Sequence, residues 1–178
     1  MDQLDVKIDI IEKVKENKEL FKKILEAWFN IYPPEKHEKF TTHFDNDIIY
    51  YVENDNNEKI IAMGIISEFS PTKHVKEERA ERLAYLYNLI VINEFQHKGI
   101  GKKLINFICN DIKNNDKLYS SYWRNKLHID IVNPSGDIND PTKFYTSLGF
   151  RTRENLKWMT QDKIPVNIKC MILRFSDL

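Results

Sequence analysis

The stretch from Leu83 to Ile112 leaves the rest of the chain few ways to fold. Leu83, Tyr85, Tyr87, Leu89 and Val91 alternate with Ala84, Leu86, Asn88, Ile90 and Ile92. Both sets are mostly apolar, which predicts a central strand covered on two faces. A polar turn, Asn93-Glu94-Phe95, leads to Gln96-His97-Lys98-Gly99-Ile100-Gly101. From there Ile100, Leu104, Phe107, Ile108 and Ile112 recur at helical spacing, so a helix follows the turn directly.

A strand, a glycine-bearing turn and a helix together make a natural place for a phosphate. The first helical N–H groups have no partner within the helix, and the helix dipole adds partial positive charge there. Gly99 and Gly101 let an anion approach the backbone, and Lys98, Lys102 and Lys103 surround the same turn with positive charge. On spacing alone, a tight helix start with solvated lysines explains these residues equally well. Two other phosphate loops fit worse. A dinucleotide fingerprint requires a third glycine where Leu104 stands. A P-loop requires Ser or Thr where Lys103 stands, and an earlier glycine where Gln96 stands.

The flanking sequence reads as further strands and helices. Val6, Ile8 and Ile10 alternate with charged residues, giving a half-buried first strand. Asn17 caps a helix whose stripe is Leu20, Phe21, Ile24, Leu25, Trp28 and Phe29. Pro33-Pro34 ends it, and a short helix is expected from Glu35 to Phe44. Ile48–Val52 and Lys59–Ile66 form an antiparallel hairpin around Asn54-Asp55-Asn56-Asn57. Ser67–Arg82 is a long charged connection.

Leu127–Val132 is a strand with His128 and Asp130 on one face. The handedness of crossovers makes it parallel to Leu83–Ile92. Asp140 caps a helix with Pro141 in its first turn and Gly149 at its stop, and Phe144 and Leu148 are its expected buried side. Phe150–Met159 and Ile168–Phe175 then pair around a turn near Asp162–Pro165.

Composition excludes several classes. At 178 residues and 42% hydrophobic, the chain suffices for a single domain over residues 1–178 with a sizeable core. Basic and acidic residues balance at 27 each, so no global field draws it to nucleic acid or to a membrane. No apolar run reaches membrane-span length, and the acidic start is not a signal peptide, so the expectation is a cytoplasmic protein. The two cysteines, Cys109 and Cys170, are far apart in sequence and are expected as buried free thiols, with no metal site.

Two segments resemble the signatures of the GNAT N-acetyltransferase superfamily. Leu89-Ile90-Val91 followed by Gln96-His97-Lys98-Gly99-Ile100-Gly101 resembles its acetyl-CoA motif, with the usual five-residue offset between Val91 and Gln96. Phe144-Tyr145-Thr146-Ser147-Leu148-Gly149-Phe150 resembles the second signature, in the right order downstream. The resemblance covers roughly Ile48 to Phe150. It implies an α/β (α+β) fold: a mixed, mostly antiparallel sheet of six to seven strands, a splayed parallel pair in the middle, and helices on both faces.

The resemblance also implies acetyl-CoA as co-substrate and a primary amine, on a small molecule or a peptide, as acceptor. Direct attack in a ternary complex needs no nucleophilic cysteine, and most of the rate can come from holding the reactants together. The implied cofactor contacts are Leu89, Ile90, Val91, Gln96, His97, Lys98, Gly99, Ile100, Gly101, Lys102 and Asn139. Tyr145 takes the position of the general acid on the departing sulfur, and His128 or Asp130 lies where some members carry the base. Trp28 and Tyr32 fall where the family's acceptor pocket begins, although core packing accounts for them too.

Two positions depart from the pattern. Tyr85 stands where some members have a glutamate, and Ile138 stands where an asparagine precedes the tyrosine, with Asn139 beside it and Asn133 upstream. The missing glutamate favours the alternative, a CoA-binding sensor or scaffold without turnover. Oligomeric state, including a homodimer, is left open.

Overall fold

The structure, a computed structural model, describes residues 5–32, 47–56, 58–67, 84–115, 126–132, 140–159 and 165–177. The helix expected over 35–44, nearly all of the charged connection, Asn133 and Asn139 lie outside the described residues. The chain forms two compact units, Met1–Glu68 with Leu86–Asp111, and Phe69–Tyr85 with Ile112–Leu178.

The first unit begins with β1 (Lys7–Ile10), α1 (Ile11–Glu16) and α2 (Lys18–Ile31). Helix α1 has no counterpart in the sequence reading. Only Ile11 and Val14 mark its apolar side, and both are almost wholly buried. Asn17 caps α2 as expected, its side chain accepting from the Leu20 N–H at 3.2 Å. The helix ends at Ile31, and Tyr32 is extended, the conformation that a following proline favours.

β2 (Ile48–Glu53) pairs antiparallel with β1 and with β3 (Ile60–Ser67). Asn54 organises their turn: its side chain accepts from the N–H groups of Glu58 and Lys59 at 2.8 and 3.1 Å. At the end of β2, burial alone would raise the Glu53 carboxyl, but the hydrogen bonds and charges of Lys7 and Lys23 outweigh it and hold the group below its usual range.

β4 (Ala84–Val91) and α3 (Ile100–Asn114) complete the central strand–turn–helix. Ile100, Leu104, Ile105, Ile108, Cys109 and Ile112 of α3 are buried. Gly64 of β3 makes room for that stripe, since a Cβ there would stand 2.8 Å from Ile108 Cδ1. Buried Tyr50 of β2 donates to Asp111 of α3 at 2.7 Å, with its ring edge-on to Phe107.

The second unit contains β5 (Lys126–Val132), α4 (Pro141–Ser147), β6 (Arg151–Met159) and β7 (Pro165–Arg174). The first two residues of β4 also belong to it. Ala84 and Tyr85 pair with Leu127 and His128, making β4–β5 the parallel pair. The β5–β7 and β6–β7 ladders are antiparallel. Read through β4, the seven strands run β1-β2-β3-β4-β5-β7-β6, a mixed sheet with its parallel pair in the middle.

Asp140 accepts from the Thr142 N–H at 2.8 Å and caps α4, with Pro141 at its first position. Gly149 ends this helix at φ 92°. The buried side of α4 consists of Tyr145 and Leu148, while Phe144 is only half-buried, a shift from the expected Phe144–Leu148 face. Phe150 closes the turn, its N–H donating to the Tyr145 carbonyl at 3.1 Å.

Gly149 is where a single methyl group tests this turn. Its φ lies in the region that side chains avoid, and a Cβ would stand 3.3 Å from Leu173 Cδ1. Gly149→Ala is expected to cost about 1–2 kcal/mol from the left-handed backbone. Urea denaturation should show a lower midpoint with an unchanged slope.

Candidate active site

In the first unit the candidate site is the turn between β4 and α3. Residues 93–95 form one 3-10 turn, in which the Phe95 N–H donates to the Ile92 carbonyl at 2.8 Å. The Gln96 side chain then folds back on the strand it follows. Its Nε2 donates to the Val91 carbonyl at 2.9 Å and to Asn93 Oδ1 at 3.1 Å. Gln96 therefore braces the turn from inside, using its side-chain donor on the protein itself.

His97 and Gly99 both take positive φ, 60° and 78°. The Gly99 carbonyl accepts from the Lys103 N–H at 3.1 Å, so Gly99 is the residue from which α3 starts. The N–H groups of the following first turn have no acceptor within the helix. Above Gly99 there is open space: beyond its chain neighbours, a Cβ would meet nothing within 4 Å among the described residues. A phosphate-sized anion is thus admitted to the backbone at the positive end of a helix of fifteen residues.

The charges around the turn suit the same ligand. Lys98 Nζ sits 5.0 Å from the centre of the Phe95 ring, and Lys59 Nζ 5.9 Å from it, while Lys59 also pairs with Glu94. Lys102 and Lys103 are exposed. Of the strand residues expected to face the cofactor, Ile90 is buried and Leu89 and Val91 are half-buried. These residues fit a pyrophosphate. Asn139, expected as a further contact, lies outside the described residues.

Trp28 and Tyr32 lie in the same unit. Trp28 is buried and its ring lies 4.3 Å from that of half-buried Tyr32. The Tyr32 hydroxyl donates to Asn88 Oδ1 at 2.5 Å, and burial, with the neighbouring Tyr87, pushes this phenol up to about 12. Asn88 carries no signal in the sequence, because it occupies one polar position in a mostly apolar strand.

In the second unit the parallel register sets Tyr85 opposite His128, while β7 sets Cys170 opposite Asp130. His128 is buried and Asp130 half-buried. Burial raises the Asp130 carboxyl, hydrogen bonds from Cys170 and Tyr85 oppose that rise, and the charge of Glu154 adds to it. The Asp130 Oδ2 is buried and meets no donor among the described residues. Burial, then Asp130 itself, pushes the Cys170 thiol upward. Cys170 is half-buried rather than buried as expected. The parts played by Tyr85 and Cys170 follow from strand register, which alternation alone does not fix.

Tyr145 is buried at 7% exposure, its ring edge-on to Phe144 at 5.1 Å and to Phe150 at 5.4 Å. The rings of Phe144 and Phe150 therefore hold its direction. Burial also pushes Cys109 up to about 12, so it is a protonated thiol at neutral pH and no nucleophile. Among the described residues, no three His, Cys, Asp or Glu side chains gather to hold a metal ion, and no helix is long and apolar enough to cross a membrane.

No protein of curated function matches the sequence. Solved structures do match the fold. An aminoglycoside 6'-N-acetyltransferase complexed with coenzyme A has a TM-score of 0.62 at 11% identity, over 94% of this chain and 96% of that one. The NAA60 protein of Arabidopsis thaliana in complex with acetyl-CoA has a TM-score of 0.58 at 14% identity, over 96% and 99%. The ribosomal-protein-S18-alanine N-acetyltransferase of Escherichia coli has a TM-score of 0.58 at 14% identity, over 95% and 93%. A family model described as the acetyltransferase (GNAT) domain matches residues 45–152. That match spans both signatures and more than half of the sequence, and the chain belongs to the GNAT acetyltransferase family.

Proposed function

We propose that the chain, acting as one domain over residues 1–178, is an N-acetyltransferase that moves the acetyl group of acetyl-CoA directly to a primary amine. The observation that carries this reading is the open backbone at Gly99, at the start of α3 and braced by Gln96. The similarity in fold to structures with coenzyme A or acetyl-CoA bound supports it, as do the acceptors named for two of them, an aminoglycoside and a protein alanine.

In this reading the N–H groups from Gly99 to Lys102 hold the pyrophosphate, with Lys98 and Lys102 adding charge. The amine must shed a proton before it attacks. Asp130 suits that task, since Tyr85 and Cys170 hold its carboxyl and Oδ2 still has room to accept, and His128 is the other candidate on β5. Its raised affinity for a proton brings it closer to neutral pH, where a base works best. Tyr145 gives its proton to the thiolate as the carbon–sulfur bond breaks. Cys109 takes no part.

The alternative, a CoA-binding module without turnover, draws on Tyr85 standing in place of a glutamate. Release of free thiol from acetyl-CoA, followed across a panel of primary amines, separates the two. Amine-dependent release supports the transferase, and binding without release on any amine supports the module.

The roles of two residues can be tested within that assay. Tyr145→Phe should keep the fold and the affinity for CoA but lose about 10²-fold in turnover at saturating acetyl-CoA, the low end for a general acid because a thiolate already leaves fairly well. Wild-type turnover would make Tyr145 a packing residue.

Asp130→Asn has two readouts of opposite sign. As the base is lost, turnover at neutral pH should fall by about 10²-fold. Stability should move the other way. The native state binds the Asp130 proton more tightly than the unfolded chain does, so its contribution is complete below the unfolded value of about 3.9 and is lost as pH rises through the raised native value. Above that value the Asn variant should melt higher than wild type, and the two should converge in acid. Equal melting at all pH values would contradict a buried, proton-hungry Asp130.

A further inference from the structure

Asp130 lies in a row of side chains that crosses three adjacent strands. Register sets Cys170 of β7 directly opposite it, and Glu154 of β6 opposite Cys170 on the far side. The next row on the same face holds Tyr85 of β4, His128 of β5, Ile172 of β7 and Arg151 of β6. Arg153 lies at the irregularity between the two rows on β6, and Lys126 pairs with Arg174 one row further along. Tyr85 and His128 are buried, Asp130 and Cys170 are half-buried, and Arg151, Arg153 and Glu154 are exposed. The row on the other side of Asp130 is apolar: Val132, Ile168 and Leu156.

Two of these groups donate to Asp130, the Tyr85 hydroxyl and the Cys170 thiol. The acceptor fixes the direction, since an ionised carboxylate carries no hydrogen of its own. Asp130 Oδ2 meets no donor among the described residues, so the two bonds hold the carboxyl without occupying that atom. The donors also act against their surroundings. Burial and the charge of Glu154 favour the protonated acid, whereas the two hydrogen bonds favour the carboxylate, the only form that can take a proton from an amine. The same neighbours keep Cys170 a donor: burial and the carboxylates of Asp130 and Glu154 disfavour a thiolate, against the smaller effect of Arg153. We infer that Tyr85 and Cys170 are positioning residues of the proposed transfer: donating from the strands on either side of β5, they keep the Asp130 carboxyl ionised and its Oδ2 open to the proton of the amine. The half-buried cysteine thus serves the reaction as a hydrogen-bond donor and not as a nucleophile. The inference rests on Asp130 acting as the base of acetyl transfer, while the two hydrogen bonds can be tested without turnover.

The test compares Tyr85→Phe, which loses the hydroxyl, Cys170→Ala, which loses the thiol, and Cys170→Ser, which restores a donor at the same place. In each intact protein the Asp130 side chain is titrated by NMR of its carboxyl carbon. It should gain its proton at higher pH in Tyr85→Phe and Cys170→Ala than in wild type, and Cys170→Ser should return it toward the wild-type value. An unmoved titration in either donor-less variant overturns the inference, whether or not the protein turns over. A moved titration with no thiol released from acetyl-CoA on any amine fails the acetyl-transfer reading and leaves the hold on the carboxyl standing. Where thiol is released, the acidic limb of kcat/KM should move up in pH together with the NMR titration. On that limb each donor-less variant should lose about tenfold, the scale of one charge-assisted hydrogen bond, and the loss should shrink as pH rises. A loss equal at every pH, or one that Cys170→Ser does not recover, would make these residues packing alone and overturn the inference.

Discussion

The first turn of α3 begins with N–H groups that a helix cannot satisfy from within, and the surrounding residues leave that deficit accessible. Gly99 starts the helix at a backbone angle that bulky residues avoid, and among the described residues beyond its chain neighbours no heavy atom lies within 4 Å of the position of its missing side chain. Gln96 spends its amide donor on Val91 and Asn93, which fixes the loop without closing it. The helix itself is anchored by a continuous buried stripe from Ile100 to Ile112 and by the Tyr50–Asp111 hydrogen bond. An anion at its start therefore meets a site already formed, and little of the binding energy goes into ordering the loop.

The polar groups buried elsewhere sort by whether the protein satisfies them. Glu53 sits between Lys7 and Lys23, and Tyr50 reaches Asp111; these are connections that hold elements together. Asp130 and Asn88 differ. Each is held on one side, by Tyr85 and Cys170 or by Tyr32, and each retains a buried atom with no partner among the described residues. Folding gains nothing from such half-satisfied groups, and in the proposed reaction Asp130 is the one that finds a use.

Much of this was legible in the sequence where local chemistry dominates. The apolar alternation of β4, the stripe of α3, the Asn54 turn, and the Asp140-Pro141 start with its Gly149 stop are each written within a few residues of one another. Helix α1 was not, because two apolar residues among six cannot establish a period. The Tyr85–His128 and Asp130–Cys170 pairings were not either. They depend on the register between strands distant in sequence, and a shift of one residue would move every one of these side chains to the other face. The Tyr32–Asn88 bond spans fifty-six positions, and no spacing rule connects its ends.

Backbone amide shifts on addition of CoA test the central claim most directly, because they report on the N–H groups themselves. In a nitrogen–proton correlation titration, the amides of Gly99, Ile100, Gly101 and Lys102 should show the largest changes and saturate together. Saturable binding of CoA with these four amides unmoved, or no change at any amide, would contradict the account.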